Sequence, residues 1–232
     1  MSHQAPYPTY GHEVLAVVFQ VRGDDLCLLL WRRTENPCAD TWALPGGAVG
    51  PDETLEQSVR RHLAAKVDVR EMSYLEQLRT VSDPLRHPGP RLLATAYLGL
   101  VPSDLDPVLP ADTAWHPVGG TPATAFDHGA LAIAGRDRLR AKLSYTNLGY
   151  ALAPPQFTIA ELRAVYVAAL GHDVSATNPR RVLLRRAVLE PTGEIAQPDS
   201  AGGRPPARFR FRDRGYRVTD PAAVLRPPQS RS

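Results

Sequence analysis

Residues 42–69 constrain the fold more than any other stretch of this chain and read WALPGGAVGPDETLEQSVRRHLAAKVDV. An apolar run ends in the segment Leu44-Pro45-Gly46-Gly47, where proline and two glycines interrupt regular structure. Aliphatic residues then recur in steps of four, which places them on one face of a helix. They are Leu55, Val59, Leu63 and Val67. The stretch therefore predicts a strand, a glycine loop and a helix.

A second face of the same helix bears on function. Positions 62, 65 and 66 are three and four residues apart, so their side chains lie together, and they hold His62, Ala65 and Lys66. The stretch resembles the Nudix box, in which a glycine and a glutamate precede an Arg-Glu-x-x-Glu-Glu run at fixed spacing. The positions that match are Gly47, Glu53 and Arg61. The three glutamates of the run are the ones replaced by histidine, alanine and lysine.

In Nudix hydrolases these glutamates bind Mg²⁺, a hard cation that prefers oxygen ligands. A lysine in their place repels the metal, and Glu53 alone cannot supply two or three carboxylates. The resemblance therefore implies a Nudix fold with no catalytic residues, no metal ion and no cofactor. The alternative is that Glu56 or Asp52 relocates the metal site. The chain would then be an active Nudix hydrolase of ADP-ribose-like substrates with an appended nucleic-acid-binding domain.

The distribution of charge separates the chain into two parts. Residues 1–142 contain 14 Lys and Arg against 17 Asp and Glu, whereas residues 143–232 contain 13 against 7, and all 13 are arginine. This basic excess predicts that the C-terminal part contacts a polyanion, with a solvated basic surface as the alternative.

The cysteines and the apolar runs limit the class of protein. Cys27 and Cys38 are the only cysteines, which excludes a disulfide framework and a cysteine-based zinc site. The sequence has no apolar run of eighteen residues and no signal peptide. We therefore expect a cytoplasmic protein without a membrane partner, which is nucleoid-associated when bound to DNA.

Residues 74–91 read YLEQLRTVSDPLRHPGPR. They are similar to a segment of the Nudix-related transcriptional regulators of bacterial NAD metabolism, the NrtR family, from which His87 and Pro90 depart. The segment Ala125-Phe126-Asp127-His128 also resembles that family and opens a helix to about residue 142, with Asp127 as the expected N-cap. Members that recognise ADP-ribose bind it with glutamates and arginines of this region, and a guanidinium can bind a pyrophosphate bidentately.

The resemblance implies a site for a nucleotide effector, ADP-ribose or a related NAD-derived nucleotide. The effector-binding residues predicted on this basis are Arg32, Gly47, Glu53, Glu76, Arg86, Arg91 and His128. For Arg32 a surface charge, and for His128 a role in packing, are the alternatives.

The C-terminal part predicts a helix-turn-helix. Thr158 and Glu161 form a capping box, so a helix begins here and ends at Gly171. A second helix is predicted over residues 180–189 (RRVLLRRAVL), with an apolar arc and an opposite arc of arginines. Two short strands, 193–197 and 207–212, with a Pro/Gly/Ser loop between them, complete a winged helix.

Residues of the second helix and the wing are the predicted DNA contacts. They are Thr177, Asn178, Arg181, Arg185, Arg186, Arg204, Arg208 and Arg210. The alternative for the arginines is an exposed helix with solvated side chains, and for Asn178 it is a helix cap.

Together these patterns predict an α+β chain in four parts. A disordered tail (1–10) precedes a Nudix-like α/β/α sandwich with a mixed sheet (11–142), a winged helix-turn-helix domain (143–217) and a second disordered tail (218–232). The resemblance implies a homodimeric repressor of NAD biosynthesis or salvage genes that binds a palindromic double-stranded operator and senses a nucleotide.

Overall fold

A mixed β-sheet is the scaffold of the N-terminal part. The computed structural model describes residues 8–67, 69, 72–174, 179–196 and 205–220. The strands are β1 (Gly11–Arg22), β2 (Asp25–Arg32), β3 (Trp42–Ala43), β4 (Gly46–Ala48), β5 (Tyr74–Val81), β6 (Leu92–Leu100), β7 (Thr113–Pro117), β8 (Leu189–Ile195) and β9 (Ala207–Phe211). The α-helices are α1 (Leu55–Val67), α2 (His128–Tyr145), α3 (Ile159–Leu170) and α4 (Pro179–Arg185).

The sheet runs in the order β3-β2-β1-β6-β5, with β4 also paired to β1 and β7 to β2. Strands β1 and β6 are parallel, whereas β1 and β2 form an antiparallel hairpin around Gly23, whose φ is 59°. Glycine adopts this left-handed conformation without a steric cost. The predicted mixed sheet is confirmed.

Alternation along β1 decides which helix covers which face of the sheet. Val14, Ala16 and Val18 are fully buried with the apolar face of α1, the face that the sequence predicted. The intervening Leu15, Val17 and Phe19 share a second cluster with α2 and α3. Successive strand residues point to opposite faces, so a strand buried on both sides lies between two helical layers. The α/β/α sandwich is confirmed.

Helix α2 differs from its prediction at both ends. It begins at His128 rather than Ala125 and continues to Tyr145, across the predicted domain boundary at residue 142. Asp127 occupies the N-cap position but its side chain caps nothing, because Arg86 binds both of its carboxylate oxygens. A 3₁₀ helix, Leu148–Ala151, follows α2.

Helix α3 begins and ends where the sequence predicts. Both hydrogen bonds of the Thr158–Glu161 capping box are present, and Gly171 ends the helix with a φ of 75°. The next helix is shorter than expected: α4 ends at Arg185, and the chain reverses through Ala187, whose φ is 53°. This reversal brings Leu189 into β8 opposite Phe211 of β9. The prediction of a helix to residue 189 and of a strand from residue 193 was therefore wrong in its boundaries.

The two parts of the chain share one hydrophobic cluster. It joins the α2 face of the sheet to residues 148–153, to α3 and to the inward side of the wing. The predicted C-terminal tail begins with ordered residues, since the Thr219 amide donates to the Tyr145 carbonyl. Residues 1–7 and 221–232 of the predicted tails lie outside the described residues. None of the described helices is long and apolar enough to cross a membrane.

Candidate functional site

A cleft of about 280 Å³ opens between the sheet, the end of α1 and the start of α2. We call it the sheet cleft. Its lining combines aromatic and charged side chains, among them Glu13, Trp31, Arg33, Lys66, Phe126 and His128. A more open depression of about 440 Å³ lies beside residues 79–86 and is lined by the exposed Arg79 and by Arg86, of which Arg86 is already paired with carboxylates. The sheet cleft is the better candidate for a ligand because cations, aromatic rings and a buried imidazole converge on it.

The Nudix-box face of α1 meets the sheet cleft with a cation in place of carboxylates. The Lys66 ammonium donates a 2.8 Å hydrogen bond to the Gly46 carbonyl and lies 4.4 Å from the centroid of the Trp31 ring. His62 turns aside, with Nε2 2.9 Å from the Ala48 carbonyl oxygen, and Ala65 is exposed. Burial lowers the pKa of Lys66 first, and the nearby Arg33 lowers it further.

The remaining carboxylates do not assemble a replacement metal site. Glu53 accepts from the Arg61 guanidinium and from the Gly50 amide, and the bond to Arg61 lowers the pKa of Glu53 to about 2. Glu56 pairs with Arg60 one helical turn away, and Asp52 is exposed. Within the described ranges, no three His, Cys, Asp or Glu side chains are grouped so that they could hold a metal ion. The residues present therefore do not fit the divalent cation of a Nudix hydrolase.

His128 is the predicted effector residue that lies deepest in the sheet cleft. It is 3% exposed, and its Nδ1 accepts a 3.0 Å hydrogen bond from the Leu44 amide. The neutral ring must then carry its proton on Nε2, and this buried nitrogen has no hydrogen-bond partner among the described residues. Burial lowers the pKa of His128 to about 4. The cleft is thus lined by a neutral imidazole whose remaining donor is buried and unpaired among the described residues.

Of the arginine pair at the end of β2, Arg32 and Arg33, the structure places Arg33 in the cleft. Arg33 stacks on Phe126, with 5.1 Å between the guanidinium carbon and the ring centroid. The predicted residue Arg32 is exposed, lies over Trp42 and donates to the Asp40 carbonyl. Strand alternation could have revealed this, because Arg33 follows Trp31 on the same side of the chain. Trp31 and Phe126 are the aromatic lining residues that the sequence reasoning missed.

Two further predicted effector residues lie outside the sheet cleft. Glu76 faces α2 and accepts from Arg138 at 2.7 Å, and the Lys142 ammonium lies 2.6 Å from its carboxylate. Arg91 is exposed, lies 4.8 Å from the Tyr10 ring centroid and makes a long bond to the Ser82 carbonyl. Of the two Nudix-box residues, Gly47 lines the cleft, whereas Glu53 does not. Glu76, Arg91 and Glu53 therefore do not line the sheet cleft, and their roles in binding the effector stay predictions.

Arg86 is buried between two carboxylates rather than presented to an anion. Its side chain is 2% exposed and bonds both oxygens of Asp127 and one of Glu13 at 2.9–3.0 Å. Burial lowers the pKa of Arg86, but these two partners raise it by more. A ligand phosphate would have to displace a carboxylate to reach this guanidinium, so the structure gives Arg86 a different partner from the one that we predicted.

The arginines predicted on the second helix of the C-terminal part differ in their exposure. Arg181 and Arg185 are exposed on α4. Arg186 follows the helix and instead bonds the Asp220 carboxylate at 2.6 Å and the Ser144 carbonyl at 3.0 Å. The predicted contacts Thr177, Asn178 and Arg204 lie outside the described residues.

The second strand of the wing alternates phenylalanine with arginine. Phe209 and Phe211 are buried in the core, while Arg208 and Arg210 point away from it. Arg210 bonds Glu190 of the paired strand at 2.7 Å. An exposed cationic helix next to a two-stranded ribbon with outward arginines has the arrangement of a DNA-binding winged helix.

Comparison with known proteins agrees with this division of the chain. The NUDIX domain family matches residues 9–130, and the NrtR DNA-binding winged helix domain matches residues 149–211. The chain belongs to the NrtR family.

Relatives of this NrtR-family chain include characterised regulators. The ADPR responsive transcriptional repressor NtrR of Acinetobacter baylyi is 29% identical over 242 residues, covering 97% of this chain and 91% of the relative. Shewanella oneidensis NrtR, complexed with a 27mer DNA, superposes with a TM-score of 0.74 at 29% identity over 86% of this chain and 92% of its own. The NUDIX domain of S. oneidensis NrtR, complexed with ADP ribose, has a TM-score of 0.53 at 30% identity, over 59% and 94% of the two chains.

In this NrtR-family chain a polar cluster joins the two domains. Glu76 of β5 accepts from Tyr74, Arg138 and Lys142, and the Lys142 ammonium also donates to the hydroxyl of Tyr216, which follows the wing. Burial raises the pKa of Glu76, but the hydrogen bonds from Lys142, Tyr74 and Arg138 outweigh it and leave that pKa lowered. The cluster therefore holds the C-terminal segment against the sheet.

Replacing Glu76 by glutamine should destabilise the chain by about 2 kcal/mol, because two cations lose their charged acceptor. The control is Glu190→Gln, which removes the carboxylate that pairs with the exposed Arg210. It should lower the free energy of unfolding by less than about 1 kcal/mol. Urea unfolding at pH 7 measures both. Equal stability of the two variants would contradict a clamping role for Glu76.

Proposed function

We propose that this chain is a DNA-binding transcriptional repressor whose Nudix domain binds ADP-ribose or a related NAD-derived nucleotide without hydrolysing it. It acts in the cytoplasm as a homodimer on a palindromic operator and regulates genes of NAD biosynthesis or salvage. The effector weakens or strengthens operator binding by preferring one arrangement of the two domains, since a ligand with equal affinity for both would shift nothing.

The observation that carries the proposal is the position of Lys66. In a chain whose C-terminal part matches the NrtR winged helix, the Nudix cleft holds an ammonium where a hydrolase of this fold would hold glutamates. A sensor needs its effector to survive binding, because hydrolysis would erase the signal. The ADP-ribose complex of the Shewanella Nudix domain and the DNA complex of the whole relative support both halves of the proposal.

Sequence-selective DNA binding is tested by fluorescence anisotropy with duplexes from upstream of NAD-metabolism genes. We expect Arg185→Ala to weaken specific binding about ten-fold, because an arginine at a base or phosphate contributes about 1–3 kcal/mol. If Arg185 contacts a phosphate, the slope of log K against log salt should also fall by about one. The control is Arg60→Ala, which removes the same charge from an exposed position on α1 and should leave affinity unchanged.

Two assays with ADP-ribose test the proposed sensing function of the Nudix domain. In the anisotropy assay it should change the affinity of the wild-type chain for its operator. In a second assay, ADP-ribose incubated with the chain and Mg²⁺ or Mn²⁺ should remain intact. Turnover at ordinary enzyme rates would favour the hydrolase with an appended nucleic-acid-binding domain, and a lack of selective DNA binding at any salt concentration would refute the repressor.

A further inference from the structure

The charges that exclude a divalent cation from the sheet cleft are also arranged to replace it. We propose that the Lys66 ammonium, together with the Arg33 guanidinium, is a built-in counter-ion for the diphosphate of a nucleotide, so that this cleft binds its ligand without any metal. This inference rests on the proposed function, from which it takes the class of ligand. It adds which side chains bind the diphosphate, and that they do so without a metal ion.

The position of Lys66 is fixed by the protein itself. One of its three N–H groups is given to the Gly46 carbonyl at 2.8 Å, and the Trp31 ring lies 4.4 Å away. An ammonium has three donors and no acceptor. Within the described ranges Gly46 supplies the hydrogen bond to Lys66, which leaves donors for a ligand that enters the cleft. An aromatic face attracts a cation electrostatically, so Trp31 holds the ammonium at the cleft wall.

Arg33 is held in the same way on the opposite aromatic group. Its guanidinium carbon lies 5.1 Å from the Phe126 centroid, and both residues line the cleft with Lys66. The two cations repel each other, and burial adds to the cost of the Lys66 charge. An anion placed between them relieves both effects, whereas a divalent cation would increase both.

The acidic residues of the cleft lining bear on which ligand can bind between the two cations. Glu13 is committed to Arg86 at 2.9 Å. Glu35 and Glu13 both line the cleft and act on the Lys66 ammonium as counter-charges, and a diphosphate would take over that role. Because a diphosphate carries two charges and several acceptor oxygens, it can contact both cations at once. A neutral nucleoside gains none of these contacts.

The inference is tested by titration calorimetry of the full chain with ADP-ribose, inorganic pyrophosphate and adenosine. With EDTA present, the dissociation constants for ADP-ribose and pyrophosphate should lie within about two-fold of those in Mg²⁺. Lys66→Met should weaken both ligands roughly ten- to hundred-fold, because a hydrogen bond to a charged group is lost. Adenosine should bind Lys66→Met and wild type equally, and Lys66→Arg should retain most of the affinity.

The control Arg60→Met removes one positive charge from the same helix at an exposed position and should bind like the wild type. A requirement for Mg²⁺, or wild-type affinity of Lys66→Met for pyrophosphate, would overturn the inference, as would failure of the wild type to bind either diphosphate. Lys66-dependent binding of ADP-ribose that leaves operator affinity unchanged would instead refute the repressor switch and keep the role of Lys66.

Discussion

Replacing Arg86 by leucine should destabilise the Nudix domain by about 3–5 kcal/mol, the cost of removing one member of a buried ion pair. The guanidinium is 2% exposed and bonds two carboxylates from different elements, Glu13 of β1 and Asp127 at the start of α2. Leucine leaves both carboxylates partly buried and unpaired, and it also disconnects β1 from α2. Chemical unfolding followed by tryptophan fluorescence at pH 7 measures the loss.

Two variants separate this effect from a general loss of charge. Arg22→Leu removes a more exposed guanidinium that pairs with the exposed Asp106, and it should cost about 1 kcal/mol or less. Arg86→Lys keeps the charge but lacks the planar fork that contacts both oxygens of Asp127, so it should recover only part of the stability. An Arg86→Leu variant as stable as Arg22→Leu would show that Arg86 does not hold these elements together.

Arg86 also shows what a sequence pattern can and cannot predict. The residue type and the similarity of its segment to NrtR regulators pointed to an anion partner, and an anion partner was found. The partners are side chains 73 and 41 positions away in the sequence. No local period encodes which carboxylate will lie nearest after the sheet has formed, so a ligand phosphate and a buried ion pair are indistinguishable from the sequence.

The fold was predictable where short-range physics decides it. The four-residue steps of α1, the alternation of the wing strand and the capping box of α3 depend on residues within a few positions of each other. The end of α4 was not, because Val188 fits the apolar arc of a longer helix, whereas Leu189 pairs with Phe211 and begins a strand. Tertiary pairing overrode helical periodicity there.

The sheet cleft was predictable in its missing glutamates and in Lys66, but not in Arg33 or the aromatic rings. Gly47 and the three replaced positions follow from the Nudix spacing alone. Arg33, Trp31 and Phe126 meet Lys66 only because β2, α1 and the segment before α2 converge. Glu76, which the sequence assigned to the effector, likewise pairs with a residue that is distant in the sequence, Arg138 of α2, 62 positions away.

Acidification should destabilise the chain through His128. Burial lowers the pKa of this imidazole to about 4, against about 6.5 in an unfolded chain. The unfolded state therefore binds the proton more tightly, and stability is lost as the pH falls from about 6.5 to about 4. At 1.36 kcal/mol per pH unit the loss from this residue reaches about 3 kcal/mol. The hydrogen bond acts in the same direction as burial, since protonating Nδ1 would place its N–H against the Leu44 amide.

The measurement is the free energy of unfolding at pH 7 and pH 4.5 for the wild type and for His128→Gln. Depressed carboxyl pKa values, such as that of Glu76, also make the chain less stable in acid, but they act in both proteins and cancel in the comparison. The wild type should lose about 2–3 kcal/mol more than His128→Gln between these pH values, while the exposed His172→Gln should follow the wild type. An equal loss in wild type and His128→Gln would mean that the buried imidazole accepts a proton without cost. The cleft would then present an imidazolium, not a neutral donor, to its ligand.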